Sequence, residues 1–376
     1  MGLVTFTFER EATARFIDLG YDLYRGDPGW VPPLRVELQA QLSPAFPFYA
    51  RSGNDHRRFL ALAGGHAVAR VMATVNGARR GEDGAAEGAV GLFEAARDDA
   101  AAEDVLGAAV EWLRAAYGVR RVRGPLNFDI WHGYRFMTRG FERERFFGEP
   151  CNKPYYPDVF ERLGFTVCRR WSSFELPGSV PAEGLSSSRG LSGRDFVARG
   201  YRFEAFGRYP FDERVALLHH VLTQSFSSFP GYTPIALAEF RELMSLARHV
   251  LHPRCSTFVF DETGALAGFT AVFVDVADAV RAMNGSSSLA GRLRFLWRRR
   301  RASRLLFHLG GITPAEARRH TGLACAAFHH TLDLIRAERC DAVVASLVAR
   351  GNPVRRLFGA YARDAFREYA LYERAA

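Results

Sequence analysis

A chain of 376 residues is longer than one hydrophobic core usually supports, so two domains are expected. Its 48% hydrophobic and 13% aromatic content permits large cores and excludes a disordered chain. The net charge of +9 is local: Arg292, Arg294, Arg298, Arg299, Arg300, Arg301 and Arg304 supply seven charges with no acid among them, and 9 − 7 leaves +2 for the remainder. With no recognisable reading motif, that distribution argues against a nucleic-acid partner.

Phe16, Leu19 and Leu23 recur at helical spacing and predict a helix over Glu9–Tyr24. Asp27-Pro28-Gly29-Trp30-Val31-Pro32-Pro33 breaks it. Phe59–Ala63, a Gly64-Gly65 turn and Ala67–Val75 read as a β-hairpin, followed by a strand over Ala89–Ala95. Asp104–Tyr117 reads as a helix that stops at Gly118, and Arg121–Leu126 as a short strand ending at Asn127. Tyr155–Leu163 is a short helix, and Phe165–Leu176 one or two strands. The Pro-, Gly- and Ser-rich stretch 177–200 is loop chemistry, so the boundary is placed there: an N-terminal domain 1–176, a linker 177–200 and a C-terminal domain 201–376.

The second half repeats the order of the first. Tyr201–Phe206 is a strand, and Glu213–Phe226 and Ile235–Val250 are helices. Thr257–Phe260 and Leu266–Val274 form a hairpin across Asp261–Gly264. After an insertion over 278–304 come the strand Leu305–Leu309, a turn at Gly310-Gly311, the helix Gly322–Ala337 and the strand Ala342–Val348. A short helix near Pro353–Tyr361 and a last strand around Tyr369–Tyr372 complete the chain. The expected class is α/β (α+β), two similar domains with mixed, mostly antiparallel sheets flanked by helices.

Cys151, Cys168, Cys255, Cys325 and Cys340 are odd in number and scattered, which favours a reducing, cytoplasmic compartment without a disulfide framework. His249-x-x-His252-x-x-Cys255 has metal-like spacing but no convincing fourth ligand nearby, and no metal is expected. The N-terminus has no charged segment leading into an apolar core, and Phe6 stands where a myristoylation signal needs Ser or Thr. No apolar run reaches spanning length. Lys153 is the only lysine among 50 basic residues, a bias in keeping with GC-rich coding, so arginine alone marks no function here.

The stretch Arg304–Asn352 carries the clearest chemistry. A strand leads to Arg319-His320-Thr321-Gly322-Leu323-Ala324 at a helix start, where unpartnered first-turn N–H groups and the helix dipole favour an anion. This turn, with Asn352 after the next strand, resembles the pyrophosphate-binding turn of the GNAT acyltransferase superfamily. The whole chain also resembles a bacterial family of tandem GNAT-like proteins, through Asp27–Leu34, Gly124-Pro125-Leu126-Asn127, Asn152-Lys153-Pro154-Tyr155-Tyr156, Asn284-Gly285, Leu296–Arg300 and Asn352–Phe358. A fainter resemblance is to bacterial ceramide synthases. The resemblance implies an acyl-CoA donor (or an acyl carrier protein). It also implies a donor site at Leu309, Gly310, Gly311, Ile312, Arg319, His320, Thr321, Gly322, Leu323, Ala324 and Asn352. Three departures stand out. The first half has Gly91-Leu92-Phe93-Glu94 and then Asp98 and Asp99, which would repel a pyrophosphate. Phe358 occupies a position where superfamily members carry an acidic Tyr, with Tyr361 one turn on. Arg350-Gly351 precedes Asn352 where an acid is common. One donor site, in the second half, is therefore expected.

Acyl transfer to an amine needs a base for the ammonium proton, a donor to the thioester oxygen and a proton for the thiolate. His308, on the strand beside the expected thioester, is the first base candidate; a hydrogen-bonded core histidine is the competing reading. Asp275 is the second candidate. Asp129 and His132 form a loop pair expected to line an acceptor pocket, and Tyr361 is the candidate thiolate protonator. In the insertion, Leu289, Leu293, Leu296 and Trp297 fall at helical spacing opposite most of the arginines. That pattern reads either as a membrane-interface helix or as a core-packed helix with a basic edge. The expected activity is N-acylation of a lipid-like amine such as a sphingoid base. An anionic membrane surface would be engaged through Arg292–Arg304, placing the protein peripherally at the inner face of the cytoplasmic membrane. The alternatives are an acetyltransferase of a small soluble amine and a non-catalytic acyl-CoA-binding protein.

Overall fold

The computed structural model describes residues 2–81, 84–181, 185, 192–227, 229, 231–319 and 322–376. The chain begins with β1 (Gly2–Phe6), α1 (Arg10–Leu23), α2 (Arg35–Gln41), α3 (Pro47–Ala50), β2 (Asp55–Ala63), β3 (His66–Arg80) and β4 (Ala86–Ala95). It goes on through α4 (Asp99–Tyr117), β5 (Arg121–Gly124), β6 (Phe136–Arg139), α5 (Tyr156–Arg162), β7 (Thr166–Pro177), α6 (Gly193–Ala198) and β8 (Arg202–Ala205). Then come α7 (Phe211–Ser225), α8 (Leu237–Leu243), α9 (Ala247–Val250), β9 (Thr257–Phe260), β10 (Leu266–Val274), α10 (Ala277–Met283) and α11 (Leu289–Arg299). The last elements are β11 (Arg304–Ile312), α12 (Pro314–Arg319), α13 (Leu323–Ala337), β12 (Ala342–Ala349), a 3-10 segment at Pro353–Ala362 and β13 (Arg367–Ala375). The class is mixed α/β, with mostly antiparallel sheets flanked by helices, as the sequence implies.

Two compact units result: 1–170 with 277–300 and 367–376, and 171–276 with 301–366. The chain thus changes unit inside β7, where strand pairing continues, rather than in the loop-like stretch 177–200. The insertion over 278–304, assigned by sequence to the second domain, packs mainly with the first unit. Its Gly285 carbonyl accepts the Arg35 N–H at 3.1 Å, and a Cβ at Gly285 would lie 2.8 Å from the Tyr21 ring. Stretch 177–200 also contains α6, started by a reciprocal Ser192–Asp195 capping box.

In the first unit the strands order as β1-β2-β3-β4-β5-β13, with β6 also on β13. In the second the order is β12-β11-β10-β9-β8, with the end of β7 beside β12. Each unit contains the same core: an antiparallel hairpin, a third antiparallel strand, a helix, and a strand parallel to the third. These are β2-β3-β4-α4-β5 and β9-β10-β11-α13-β12. Helix α4 buries Val105, Leu106, Ala109 and Leu113 at helical spacing, and Gly118 ends it at φ +60°. Helix α13 buries Phe328, Leu332 and Ile335 in the second core. Strand β13 is fastened in the first unit by Arg367, whose Nε lies 3.1 Å from Glu149, both side chains wholly buried.

His56, on β2, packs its ring against Phe8 and Tyr49 at 4.7 and 4.3 Å. Burial, followed by the neighbouring Arg58, pushes its pKa down to about 4. The folded state therefore holds His56 neutral, and its contribution is present above the ordinary histidine pKa and lost as pH falls from about 6.5 to about 4. Between pH 7 and 4 the wild-type protein should lose on the order of 2 kcal/mol more than His56→Gln, read from urea midpoints. Equal losses would refute this.

Candidate functional site

Strands β11 and β12 pair in parallel from Arg304↔Ala342 to Phe307↔Ala345, and there the pairing stops. Each strand carries an irregularity at that point. His308 is the extra residue between the Phe307↔Val272 and Leu309↔Ala271 pairs. On β12 the register shifts between Ala345 and Val348, and Leu347 sits at φ +57° with its N–H donated to Ser173 Oγ at 2.9 Å. The bulges turn each strand toward its outer neighbour, so β11 follows β10 to Ile312 while β12 follows β7. Gly310 and Gly311, expected in a turn, continue β11 opposite Thr270 and Phe269. A Cβ on Gly311 would stand 3.1 Å from Ser225 Cβ, so close packing against α7 accounts for that glycine. The Ile312 carbonyl accepts the Ser225 hydroxyl at 3.0 Å, and Leu309 pairs with Ala271.

Helix α12 intervenes between β11 and α13. Gly322 is the N-cap of α13, with Leu323 and Ala324 in its first turn, and as a glycine it supplies no capping side chain. The first-turn N–H groups therefore receive no capping oxygen from the N-cap residue itself. His320 and Thr321 lie outside the described residues. Arg319 is held by acids: it pairs with Glu262 and lies 3.7 Å from both Asp261 and Glu316. Asn352 caps the 3-10 segment, its Oδ1 accepting the Val354 N–H at 2.9 Å.

At the parting point, His308 Nδ1 lies 2.8 Å from Ser346 Oγ, and the Ser346 hydroxyl reaches the Phe307 carbonyl at 3.4 Å. If that hydroxyl donates to the carbonyl, it accepts from Nδ1–H, which leaves Nε2 as the basic nitrogen. Asp275 is not poised as a base. Its Oδ2 takes Arg304 Nε at 2.7 Å and Nη2 at 2.6 Å, with the carboxylate 4% exposed. Tyr361 is half-buried against the second core, and Phe358 is wholly buried among Phe174, Phe307 and Phe328. Asp129 and His132 do meet, Nδ1 to Oδ1 at 2.7 Å, but both side chains are buried among Phe46 and Phe128. His252, Cys255 and Glu338 lie within 4.8 Å of one another. Glu338 is committed to Arg254 at 2.7 Å, and His252 Nδ1 accepts the Cys255 N–H at 3.1 Å.

The equivalent feature in the first unit is shut. β4 and β5 pair from Glu87↔Arg121 to Ala89↔Arg123. Beyond that, the Leu126 N–H bonds the Val90 carbonyl at 2.9 Å and Asn127 Oδ1 accepts the Leu92 N–H at 2.8 Å. A Cβ on Gly91 would stand 2.4 Å from the Leu126 carbonyl, so the gap has no room for a ligand. The start of α4 is filled as well, since the Asp98 carboxylate accepts the Ala101 N–H at 3.1 Å. Asp98 therefore acts as a helix cap, besides repelling anions.

Sequence reasoning missed a buried polar centre in this unit. Glu94 Oε2 lies 2.8 Å from the Tyr156 hydroxyl, and Arg70 approaches Glu94 at 3.9 Å. Burial raises the Glu94 pKa, against the pull of Arg70 and the tyrosine hydroxyls. Lys153 Nζ sits 4.1 Å over the Tyr24 ring and 3.9 Å from Asp27. Part of the signal was present: Asp27 comes from the Asp27–Leu34 stretch, and Lys153 and Tyr156 from Asn152–Tyr156. Tyr24, Asp27 and Trp30 also line a cavity of about 400 Å³. On α11, Leu289, Leu293, Leu296 and Trp297 are exposed by 75, 59, 48 and 51%, which overturns the core-packed reading of that helix.

No protein-family model matches the chain. Protein YghO of Escherichia coli (strain K12) is 24% identical over 305 residues, 79% of this chain and 74% of that one. Bacterial ceramide synthase of Caulobacter vibrioides (strain NA1000 / CB15N) is 27% identical over 287 residues, 76% of this chain and 73% of that one. A tandem GNAT protein from the clavulanic acid biosynthesis pathway superposes with a TM-score of 0.55 at 14% identity, covering 100% of this chain and 98% of its own. The chain has the tandem GNAT fold. A GCN5-related N-acetyltransferase from Anabaena variabilis ATCC 29413 covers 99% of this chain and 72% of its own, with a TM-score of 0.51 at 10% identity. Within the GNAT fold the parted strands and the glycine-capped α13 start occur in one unit, and the bridged strands and Asp98-capped α4 start in the other.

The Asp275–Arg304 pair tests structure against chemistry. Asp275→Asn should destabilise the protein by about 2 kcal/mol in urea unfolding, because it strips a half-buried guanidinium of its counter-charge. A variant of wild-type stability would contradict the structural role.

Proposed function

We propose that this chain is an N-acyltransferase that takes an acyl group from a coenzyme A thioester bound in the second unit and transfers it to an amine. The observation that carries the reading is the parting of β11 and β12 beyond Phe307 and Ala345, before a helix whose N-cap is a glycine. The first-turn N–H groups of α13 suit a pyrophosphate, and the gap between the strands suits an extended pantetheine arm. Arg319 would exchange Glu262 for phosphate. A backbone N–H along Leu309–Ile312 would polarise the thioester carbonyl.

In the reaction the amine nitrogen forms a bond to the carbonyl carbon and the carbon–sulfur bond breaks. The ammonium proton passes to His308 Nε2, and the departing thiolate takes up a proton, with Tyr361 as the candidate donor. Asn352 and the residues 319–324 hold the donor. Asp275 is left a structural part, as counter-ion to Arg304. The similarity to a bacterial ceramide synthase supports a long acyl chain and a sphingoid-base acceptor. Helix α11 supports the same reading, because exposed leucines and a tryptophan beside arginines suit an anionic bilayer surface. Each arginine near such a surface adds about 1 kcal/mol, enough together for reversible docking. Among the described residues no helix is long and apolar enough to cross a membrane.

Thiol release measured across acetyl- to stearoyl-CoA, with a sphingoid base and with small amines, tests the reading. Release is expected with long donors and the sphingoid base, and His308→Gln should lower kcat at least 100-fold with little change in donor KM. Release confined to acetyl-CoA and small amines would overturn the lipid assignment, and none with any pair would overturn the enzyme reading. Flotation with anionic vesicles should carry the wild-type protein upward and leave a Leu293→Ser, Trp297→Ser variant behind. Equal flotation of the two would remove α11 as the docking element.

A further inference from the structure

The polar centre of the first unit has no part in the donor chemistry proposed for the second. Its composition is unusual for this chain. Of 50 basic residues, all but Lys153 are arginine, so the coding bias that accounts for the arginines leaves this position unexplained. An ammonium offers a compact charge with three rotatable donors, which a planar guanidinium does not.

The surroundings fix the backbone that carries that ammonium. Asn152, buried, accepts the Met137 N–H at 2.7 Å and donates to the Met137 and Lys153 carbonyls at 3.1 and 2.9 Å. Tyr156 hydrogen-bonds both Glu94 and the Ala95 N–H at 2.8 Å, fastening the next turn to the end of β4. The Tyr24 ring under Lys153 stacks on Trp30, with centroids 5.2 Å apart and planes within 13°. Tyr21 meets Trp30 edge-on at 5.2 Å. Beside this aromatic stack lies the cavity of about 400 Å³, and Arg281 and Asn284, from the segment leading into α11, complete its wall.

The charges of the wall are unevenly committed. Arg25 is paired with Asp22 and Arg35 with Asp18, each at 2.5 Å, and Arg281 is paired with Asp278. Asp27 is different: Oδ1 accepts the Gly29 N–H at 2.9 Å, while Oδ2 meets Lys153 only at 3.9 Å. An incoming ammonium would find a loosely held carboxylate beside aromatic faces, the combination that binds cations well. Lys153, displaced from Asp27, would then present its donors to a neighbouring hydroxyl oxygen. The exposed apolar stripe of α11 begins five residues after Asn284, so an amphiphile's head and a lipid surface are served by neighbouring parts of one segment.

We infer that this cavity binds a primary ammonium next to a hydroxyl, with Asp27 taking the ammonium and Lys153, 3.9 Å from Asp27, the hydroxyl. The binding does not depend on the N-acyltransferase reading. Calorimetry with a water-soluble, short-chain 2-amino-1,3-diol tests it on the full chain, with coenzyme A binding measured on the same samples as a check on folding. The wild-type protein should bind the diol. Asp27→Asn should weaken it at least ten-fold and Lys153→Arg several-fold, with coenzyme A affinity unchanged in both. No binding by the wild-type protein, or unchanged binding by both variants, would overturn the site. So would competition by phosphoethanolamine that disappears in Arg35→Gln and persists in Asp27→Asn, because that marks an anion site. If the diol binds as described and no amine releases thiol from acyl-CoA, the acyltransferase reading falls and the site stands.

Discussion

Two parallel strands that stop pairing part-way set the terms for this protein. A parallel ladder satisfies backbone groups on both strands, so leaving it early needs a compensating pull on each side. In the second unit the pull on β11 comes from continued pairing with β10 around the His308 bulge. The pull on β12 comes from β7 and from Ser173, which takes the Leu347 N–H. The gap follows from those two attachments, and the histidine at its apex follows from the bulge that makes it. In the first unit the same topology ends differently, because Leu126 and Asn127 cross the gap and use its hydrogen bonds. A duplicated fold thus carries one open and one closed version of one feature.

The closed unit has gained other properties. Its helix start is capped by Asp98, and its third strand ends in Glu94, joined to Tyr156 and Arg70. Buried ionic groups of this kind contribute little net stability. Nearby, Tyr24 and Trp30 stack and line a cavity, with Lys153 over the Tyr24 ring, and Arg281 and Asn284 add to its wall. The exposed leucines of α11 are an expense for a protein in water, which the docking proposed for this helix would offset.

Much of the element order was legible because it is written in local periodicity. The β2–β3 and β9–β10 hairpins follow from apolar runs around Gly64-Gly65 and Asp261–Gly264. Helix α4 follows from its buried stripe and Gly118. Readings failed where non-local pairing decides. Gly310 and Gly311 look like a turn, yet β10 holds them in a strand. The segment 177–200 looks like a linker, yet the compact units divide inside β7. Among the site residues, the helix start at Gly322 was readable because small residues before an apolar helix have a local meaning. The commitment of Asp275 to Arg304 was not, since the partner lies 29 positions away.

The sequence by itself determined a repeated α/β order, a helix that starts at Gly322, and a helix with apolar and basic faces, all properties of neighbouring residues. Only the tertiary structure decided which parallel pair opens, that Asp98 closes its own helix start, and that the apolar face of α11 is exposed. It also brought Lys153 beside Asp27 and set Asp27, Trp30, Arg281 and Asn284 around one cavity. These outcomes depend on which distant groups compete for the same hydrogen bonds and charges, and that competition is settled only when the strands and helices are packed.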